Sequence, residues 1–291
     1  LQQNQTGRNN MKQGLVLEGG AMRGLFTAGV IDVMMENGID FDGLIGVSAG
    51  SSFGCNYKSR QPGRVLRYNL RYGRDPRYMG WRPLLTTGNL VGAEFAYHTL
   101  PLELDIFDTA TFENNPMEFH MVCTDCLTGN PVYHRMDRVT HSELEWLRAS
   151  ASMPLVTKPV KVDGMVMLDG GISDSIPLKH LQSIGFKRNV VVLTRERSYR
   201  KQPATLWPYR LLMRRYPAIT RAMAQRHAMY NNQLAFVQQQ EALGNTFVIA
   251  PQQPLPIART DMDPQKIKNV YEIGRSTCAA LLPELKKFLT K

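Results

Sequence analysis

Three short stretches carry residues whose types and spacing suit acyl transfer. Gly46-Val47-Ser48-Ala49-Gly50 sets a serine between an apolar run and a helical pattern. A nucleophilic serine needs a sharp turn that exposes its hydroxyl, and glycines at Gly46 and Gly50 let the chain turn tightly and the helix pack close. The helix N-terminus beside it favours developing negative charge. Glu18-Gly19-Gly20-Ala21-Met22-Arg23-Gly24 again lies between a strand pattern and a helix. Consecutive small residues expose backbone N–H groups, the construction of an oxyanion hole. Asp169-Gly170-Gly171 puts a carboxylate at the end of a short apolar run, at the sheet edge where such folds bind ligands.

Each stretch alone admits a plainer reading. G-x-S-x-G can be an ordinary strand-to-helix turn, and Asp-Gly is a common turn pair. Glycines at 19, 20 and 24 do not match G-x-G-x-x-G, and no Gly-Lys-Ser/Thr follows, so neither a dinucleotide loop nor a nucleotide-phosphate loop is expected. Arg23 either braces the loop, meets a lipid phosphate, or is a surface arginine at a helix start. A Ser-His-Asp triad needs a late histidine. His180 and His227 follow Asp169, but both sit in helical rather than loop contexts. Cys123 and Cys126 form C-x-x-C near His120 and His134, yet strand alternation puts His120 and Cys123 on opposite faces and no second close pair exists. Buried strand thiols are the reading, with no metal site.

The elements that must position these groups follow from apolar periodicity. Residues 14–18 and 43–47 read as buried strands. Helices follow over 25–36, with Gly38 as C-cap, and over 50–58. Residues 61–104 give only helix, loop and irregular pieces. Residues 118–125 and 131–136 flank a glycine-containing turn and read as a hairpin. A helix over 142–151 takes Ser142 as N-cap and Glu145 as its capping-box partner. Strands are expected at 166–168, 190–193 and 246–250, with a long helix over 218–243. The last helix starts at Asp263-Pro264 and should break or kink at Pro283. Strand-helix alternation argues for a parallel sheet with packed helices.

Taken together, Gly-Gly-x-x-Arg-Gly, then G-x-S-x-G, then Asp-Gly-Gly resemble the patatin-like phospholipases. Thr124-Asp125 with Thr128-Gly129, Ala149-Ser150-Ala151-Ser152-Met153-Pro154 and Asp174-Ser175-Ile176-Pro177 extend the match. The resemblance covers about residues 14–193 and is only general beyond, as in a bacterial member with its own C-terminal region. It implies a three-layer α/β/α sandwich around a central, mostly parallel sheet. It further implies a metal-free, cofactor-free Ser-Asp dyad cleaving acyl esters of membrane lipids. Carried over, Ser48 is the nucleophile, Asp169 the base, and Gly19, Gly20 and Ala21 the oxyanion donors. Many relatives have a third glycine where this chain has Ala21. Alanine supplies the same N–H, so the oxyanion hole is expected to survive unless that residue needs positive φ. A free aspartate titrates near ~3.9, so it is a weak base at neutral pH. Esters and thioesters are therefore expected before amides. The rival function is a non-catalytic lipid-binding module on the same fold.

The chain has 291 residues, 43% hydrophobic and 21% charged, enough for a large folded core. Residues 1–13 are expected to form a disordered or non-native tail, with Met11 a candidate start. Residues 14–195 form the catalytic core, and 196–291 complete the same domain. The formal charge of +10 favours anionic partners. Residues 195–227 hold nine Lys/Arg against Glu196 alone, interleaved with Trp207, Tyr209 and Tyr216. This segment is either a solvated helical face or a contact for anionic membrane, and access to lipid favours the latter. No nucleic-acid motif is visible. Four cysteines without a disulfide framework argue for a reducing, cytoplasmic setting. Oligomeric state, headgroup and chain-length preference are not encoded in any motif.

Overall fold

Apolar runs become strands and the periodic stretches between them become helices. A computed structural model of the chain describes residues 11–290. Gln13–Leu17 (β1), a 3₁₀ turn at Ala21–Arg23 and Gly24–Glu36 (α1) precede Gly43–Val47 (β2) and Ala49–Lys58 (α2). Arg64–Tyr72 (α3), Trp81–Thr87 (α4), a π-helical stretch Phe95–Leu104 and Thr109–Asn114 (α5) come next. The hairpin Glu118–Asp125 (β3) and Pro131–Arg135 (β4) leads through His141–Ser150 (α6) to Val160–Val162 (β5) and Met165–Asp169 (β6). A 3₁₀ turn at Gly170–Ile172, Leu178–Ser183 (α7) and Arg188–Val192 (β7) follow. Trp207–Leu212 (α8), Pro217–Ala242 (α9), Thr246–Ile249 (β8) and Pro264–Thr290 (α10) end the chain. Of the expected tail, residues 1–10 lie outside the described residues, while Gln13 already pairs with Arg188 in the sheet.

The eight strands form one mixed sheet. β1 pairs in parallel with β2 and β7, β2 with β3, and β7 with β8; β4 and β6 run antiparallel to β3, and β5 antiparallel to β6. Strand alternation builds the two helical layers. Leu15 and Leu17 of β1, with Val190 and Val192 of β7, join α1, α2, α6 and α10 in one apolar cluster. Val16 and Val191 point the other way, into a cluster with α7 and α9. The architecture is the expected α/β/α sandwich.

The C-terminal region supplies both layers. α10 packs on α1, where the buried Tyr271 hydroxyl donates to Asp32 Oδ2 at 2.6 Å. Asp263 Oδ1 caps α10 by accepting from the Gln265 and Lys266 N–H groups, with Pro264 at the first helical position. Pro283 does not break the helix, which continues to Thr290. A second difference lies at α6. Its N-cap is Thr140, whose hydroxyl accepts from Glu143 N–H at 3.3 Å. The Ser142 hydroxyl instead donates to Asp163, and Glu145 is held by Arg148. No described helix is long and apolar enough to cross a membrane. Cys55, Cys123, Cys126 and Cys278 are buried and free, and Cys123 and Cys126 fall in different apolar clusters.

Candidate active site

The register on β3 brings the serine and the aspartate together. Val47, the last residue of β2, pairs with Val122, and Asp169, the last residue of β6, pairs with the adjacent Cys123. β4 overlaps both partners on the opposite edge of β3. β2 and β6 therefore share one edge, run in opposite directions and meet end to end. This differs from the expected parallel-sheet edge: the carboxylate arrives on an antiparallel strand that points back at the serine.

Ser48 turns the chain from β2 into α2 with φ +56° and ψ −123°. A non-glycine residue there is strained by about 1–3 kcal/mol. The turn is tight because α2 lies hard against β1: a Cβ on Gly50 would sit 2.2 Å from the Leu17 carbonyl oxygen. Ser48 N–H donates to Ser150 Oγ at 3.2 Å. Ser150 Oγ donates to the Val122 carbonyl at 2.7 Å, which leaves Ser51 as the donor in its 3.0 Å contact with Ser150.

Asp169 is 1% exposed. Its Oδ1 accepts from Gly171 N–H at 2.7 Å, and its carbonyl accepts from Thr124 Oγ1 at 2.8 Å. Oδ2 completes no hydrogen bond among the described residues. The Ser48 hydroxyl nevertheless stands near enough to favour the charged carboxylate. The two are neighbours whose hydrogen bond is not closed, a slack common in resting sites. Burial raises the Asp169 pKa above the ordinary carboxylate value, with Ser48 and then Arg226 opposing it.

The loop after β1 lies across this pair. Glu18 is buried and accepts from Thr194 N–H and from the Tyr230 hydroxyl, both at 2.7 Å. Thr194 Oγ1 donates to the Gly19 carbonyl at 2.7 Å. The carbonyl side of the loop is thus tied back. Among the described residues the N–H groups of Gly19, Gly20 and Ala21 meet no protein acceptor. A Cβ at Gly19 would come within 2.8 Å of Ser48 Cβ. Arg23 is not a surface residue. It is 9% exposed, lines the same cavity, and leaves its Nε without a partner. Burial, and then Arg195, pull its pKa down to about 10.

Ala21 has φ +50°. The backbone does need the left-handed conformation, and alanine bears its cost of about 1–2 kcal/mol. Ala21→Gly should therefore raise stability, by up to about 1 kcal/mol after the extra freedom of glycine in the unfolded chain is counted. Urea unfolding of the two proteins checks this.

Ser48 stands where two cavities meet. One, of about 70 Å³, is polar and lined by Glu18, Arg23, Asp169, Lys201, Arg226 and Arg259. The other, of about 380 Å³, is apolar, with Phe53, Tyr68, Leu100, Met136, Leu144 and Leu147 in its wall. Ala21, Ser48, Met153 and Arg259 border both. Of the residues singled out in the sequence, Ser48, Asp169, Gly19, Gly20, Ala21, Arg23 and Gly171 line the polar cavity together. Gly24, Gly50 and Gly170 stand behind it at helix and 3₁₀ starts, and Gly46 lies in β2 just before the turn. Neither His180 nor His227 lines either cavity, and His180 stacks on Tyr133 with centroids 3.4 Å apart.

Sequence reading missed Glu18, Ser150, Lys201, Arg226, Tyr230 and Arg259 as parts of the site. Ser150 belongs to the Ala149–Pro154 motif, whose residue types alone give it no role. Arg226 and Lys201 belong to the basic 195–227 segment, whose composition points to a solvated face or a membrane contact, but both line the site, and Arg226 Nε donates to the Gly171 carbonyl. Gln233 Nε2 likewise donates to Asp174 at 2.6 Å. α9 thus clamps the Asp-Gly-Gly loop.

Residues 15–181 match the family model described as "Patatin-like phospholipase", and residues 216–290 match "Domain of unknown function (DUF6363)". Uncharacterized protein YjjU of Escherichia coli (strain K12) is 32% identical over 190 residues, 62% of this chain and 51% of that protein. Lysophospholipase nte1 of Aspergillus fumigatus is 30% identical over 182 residues, 59% of this chain and 11% of that protein. The chain therefore spans about half the length of the first relative and far less of the second. VipD from Legionella pneumophila aligns in structure with a TM-score of 0.47 and 13% identity, over 94% of this chain and 67% of that one.

Proposed function

The chain belongs to the patatin-like phospholipase family, and from that premise we propose that it hydrolyses fatty acyl esters of lipids with Ser48 as nucleophile and Asp169 as base. The observation that carries this reading is the place of Ser48, beside a buried carboxylate and at the junction of an apolar and a polar cavity. The acyl chain occupies the apolar cavity, whose volume lies within the usual range for ligand sites. Ser48 Oγ attacks the ester carbonyl carbon while its proton passes to Asp169. The N–H groups of Gly19, Gly20 and Ala21 hold the oxyanion. Collapse expels the alcohol, which takes the proton from Asp169 and leaves an acyl-serine. Water, deprotonated by Asp169, then releases the fatty acid and restores the hydroxyl.

Access from a lipid surface fits the exterior. Trp207, Leu211 and Leu212 on α8 are 68%, 63% and 59% exposed. Tyr209 of the same helix lines the apolar cavity. Exposed Arg210, Arg214 and Arg215 flank this apolar tip, the pattern of an interfacial anchor on anionic lipid.

A fluorophosphonate probe should label the protein, and peptide mapping should place the label on Ser48. A non-catalytic lipid-binding module would give no label. Each buried methylene is worth about 0.8 kcal/mol, so kcat/KM for p-nitrophenyl octanoate should exceed that for the butyrate by roughly tenfold or more. Ala96→Phe fills the apolar cavity from the π-helical stretch, and the octanoate advantage should disappear in that variant. Equal rates for both chain lengths in both proteins would remove the acyl chain from this cavity.

A further inference from the structure

The polar cavity carries more positive charge than its acids balance. Arg23, Lys201, Arg226 and Arg259 line it beside Glu18 and Asp169. None of the four makes an ion pair among the described residues, whereas Arg64, Arg148, Arg197 and Arg275 each meet a carboxylate. Glu18 is already engaged by Thr194 N–H and the Tyr230 hydroxyl, and Asp169 accepts from Gly171 N–H through Oδ1 alone. Arg23 is nine-tenths buried with Nε unpartnered. Lys201 lies 4.3 Å from the centre of the Tyr230 ring, and burial followed by Arg226 brings its pKa down to about 7. The cations repel one another in a partly dry space, and a bound anion would relieve that cost.

We propose that this cavity is a phosphate subsite for the alcohol half of the substrate, so that the enzyme selects acyl esters whose leaving alcohol carries an uncapped phosphate. The inference rests on the ester-hydrolase reading of Ser48. With the acyl chain on the apolar side, the alkoxy group leaves Ser48 toward the cations. The chemistry there is specific. Four cationic side chains suit a tetrahedral dianion better than a carboxylate. A water needs about 10–15 Å³ of such space, so about 70 Å³ holds a group of several heavy atoms but not a bulky headgroup. A choline would bring a like charge against Arg259 and Lys201. Lys201, Arg226 and Arg259 all lie outside residues 15–181, and the last two lie within the matched domain of unknown function. That region is thereby assigned a role: it completes the substrate's anion site.

The test uses the full chain and three matched esters: 1-oleoylglycerol, 1-oleoylglycerol 3-phosphate and 1-oleoylglycero-3-phosphocholine. The phosphate monoester should exceed the neutral ester in kcat/KM by roughly tenfold or more, the scale of one charged hydrogen bond. Arg259→Gln, at an exposed position, and Lys201→Gln should each lower that ratio through KM, and Arg259→Lys should keep most of it. Inorganic phosphate should inhibit neutral-ester hydrolysis competitively, and less so in Arg259→Gln. Equal kcat/KM for the three esters, unchanged in the variants while the neutral ester is still cleaved, would overturn the subsite and leave the hydrolase reading standing. Inhibition by inorganic phosphate without any preference among the esters would overturn the headgroup assignment and give the site to free phosphate. No cleavage of any ester and no fluorophosphonate label would instead overturn the hydrolase reading beneath it.

Discussion

Ser48→Ala should lower ester hydrolysis by roughly 10⁴-fold or more, the scale seen when a covalent nucleophile is removed, and should abolish labelling by a fluorophosphonate. Binding of a non-hydrolysable lipid ether should persist, because both cavities remain. Ser48→Gly separates chemistry from folding. The serine is held at φ +56° in a turn fixed on both sides, by the Val47–Val122 pairing and by the contact of Gly50 with Leu17. Glycine adopts that conformation without the Cβ penalty. Ser48→Gly should therefore be as inactive as Ser48→Ala yet more stable than the parent, by about 1 kcal/mol after the entropy of the unfolded glycine is subtracted. Urea unfolding of the three proteins gives the comparison. A Ser48→Gly protein less stable than the parent would mean that the turn is not strained and that its geometry has another cause.

The sequence carried the local part of this site and little of its long-range part. The apolar runs of β1, β2 and β7 and the glycines around Ser48 are readable because buried parallel strands and tight turns leave local signatures. Asp169 was readable as a strand end. Its direction was not, because the antiparallel pairing of β6 with β3 is a register between segments more than forty residues apart, and nothing local encodes it. The capping of α6 shows a different limit. Thr140-x-x-Glu143 and Ser142-x-x-Glu145 are equally good local patterns. Asp163 and Arg148 decide between them by engaging Ser142 and Glu145. The π-helical stretch over Phe95–Leu104 has no periodic signature, and it forms part of the apolar cavity. In the basic segment, side chains of one composition divide by direction. Arg210 faces out while Lys201 and Arg226 line the site, and a charge count cannot see that division.

Asp169→Asn should lower kcat by roughly 10³-fold or more, since general-base catalysis alone contributes about 10²–10⁴-fold and the acyl-enzyme also needs that base. The same change should raise the melting temperature at neutral pH. The carboxylate is 1% exposed, and its Oδ2 has no hydrogen-bond partner. An amide can keep the acceptor for Gly171 N–H and place its NH₂ toward Ser48, without a buried charge. The pKa of Asp169 is raised in the folded protein, chiefly by burial. The folded state therefore holds this proton more tightly than the unfolded chain, whose aspartate titrates near ~3.9. Stability from this residue is full below the unfolded value and is lost as pH rises through the folded one. The gain in Asp169→Asn should accordingly appear at neutral pH and vanish in acid, where the parent aspartate is itself neutral. Activity runs the opposite way, because only the charged form accepts the serine proton. The acid limb of the kcat/KM profile should therefore lie above the ordinary aspartate range. A lower melting temperature for Asp169→Asn at neutral pH would show that Arg226 needs this carboxylate more than burial penalises it. The residue would then be held by the charge of nearby Arg226 rather than kept, at a cost in stability, for its reactivity.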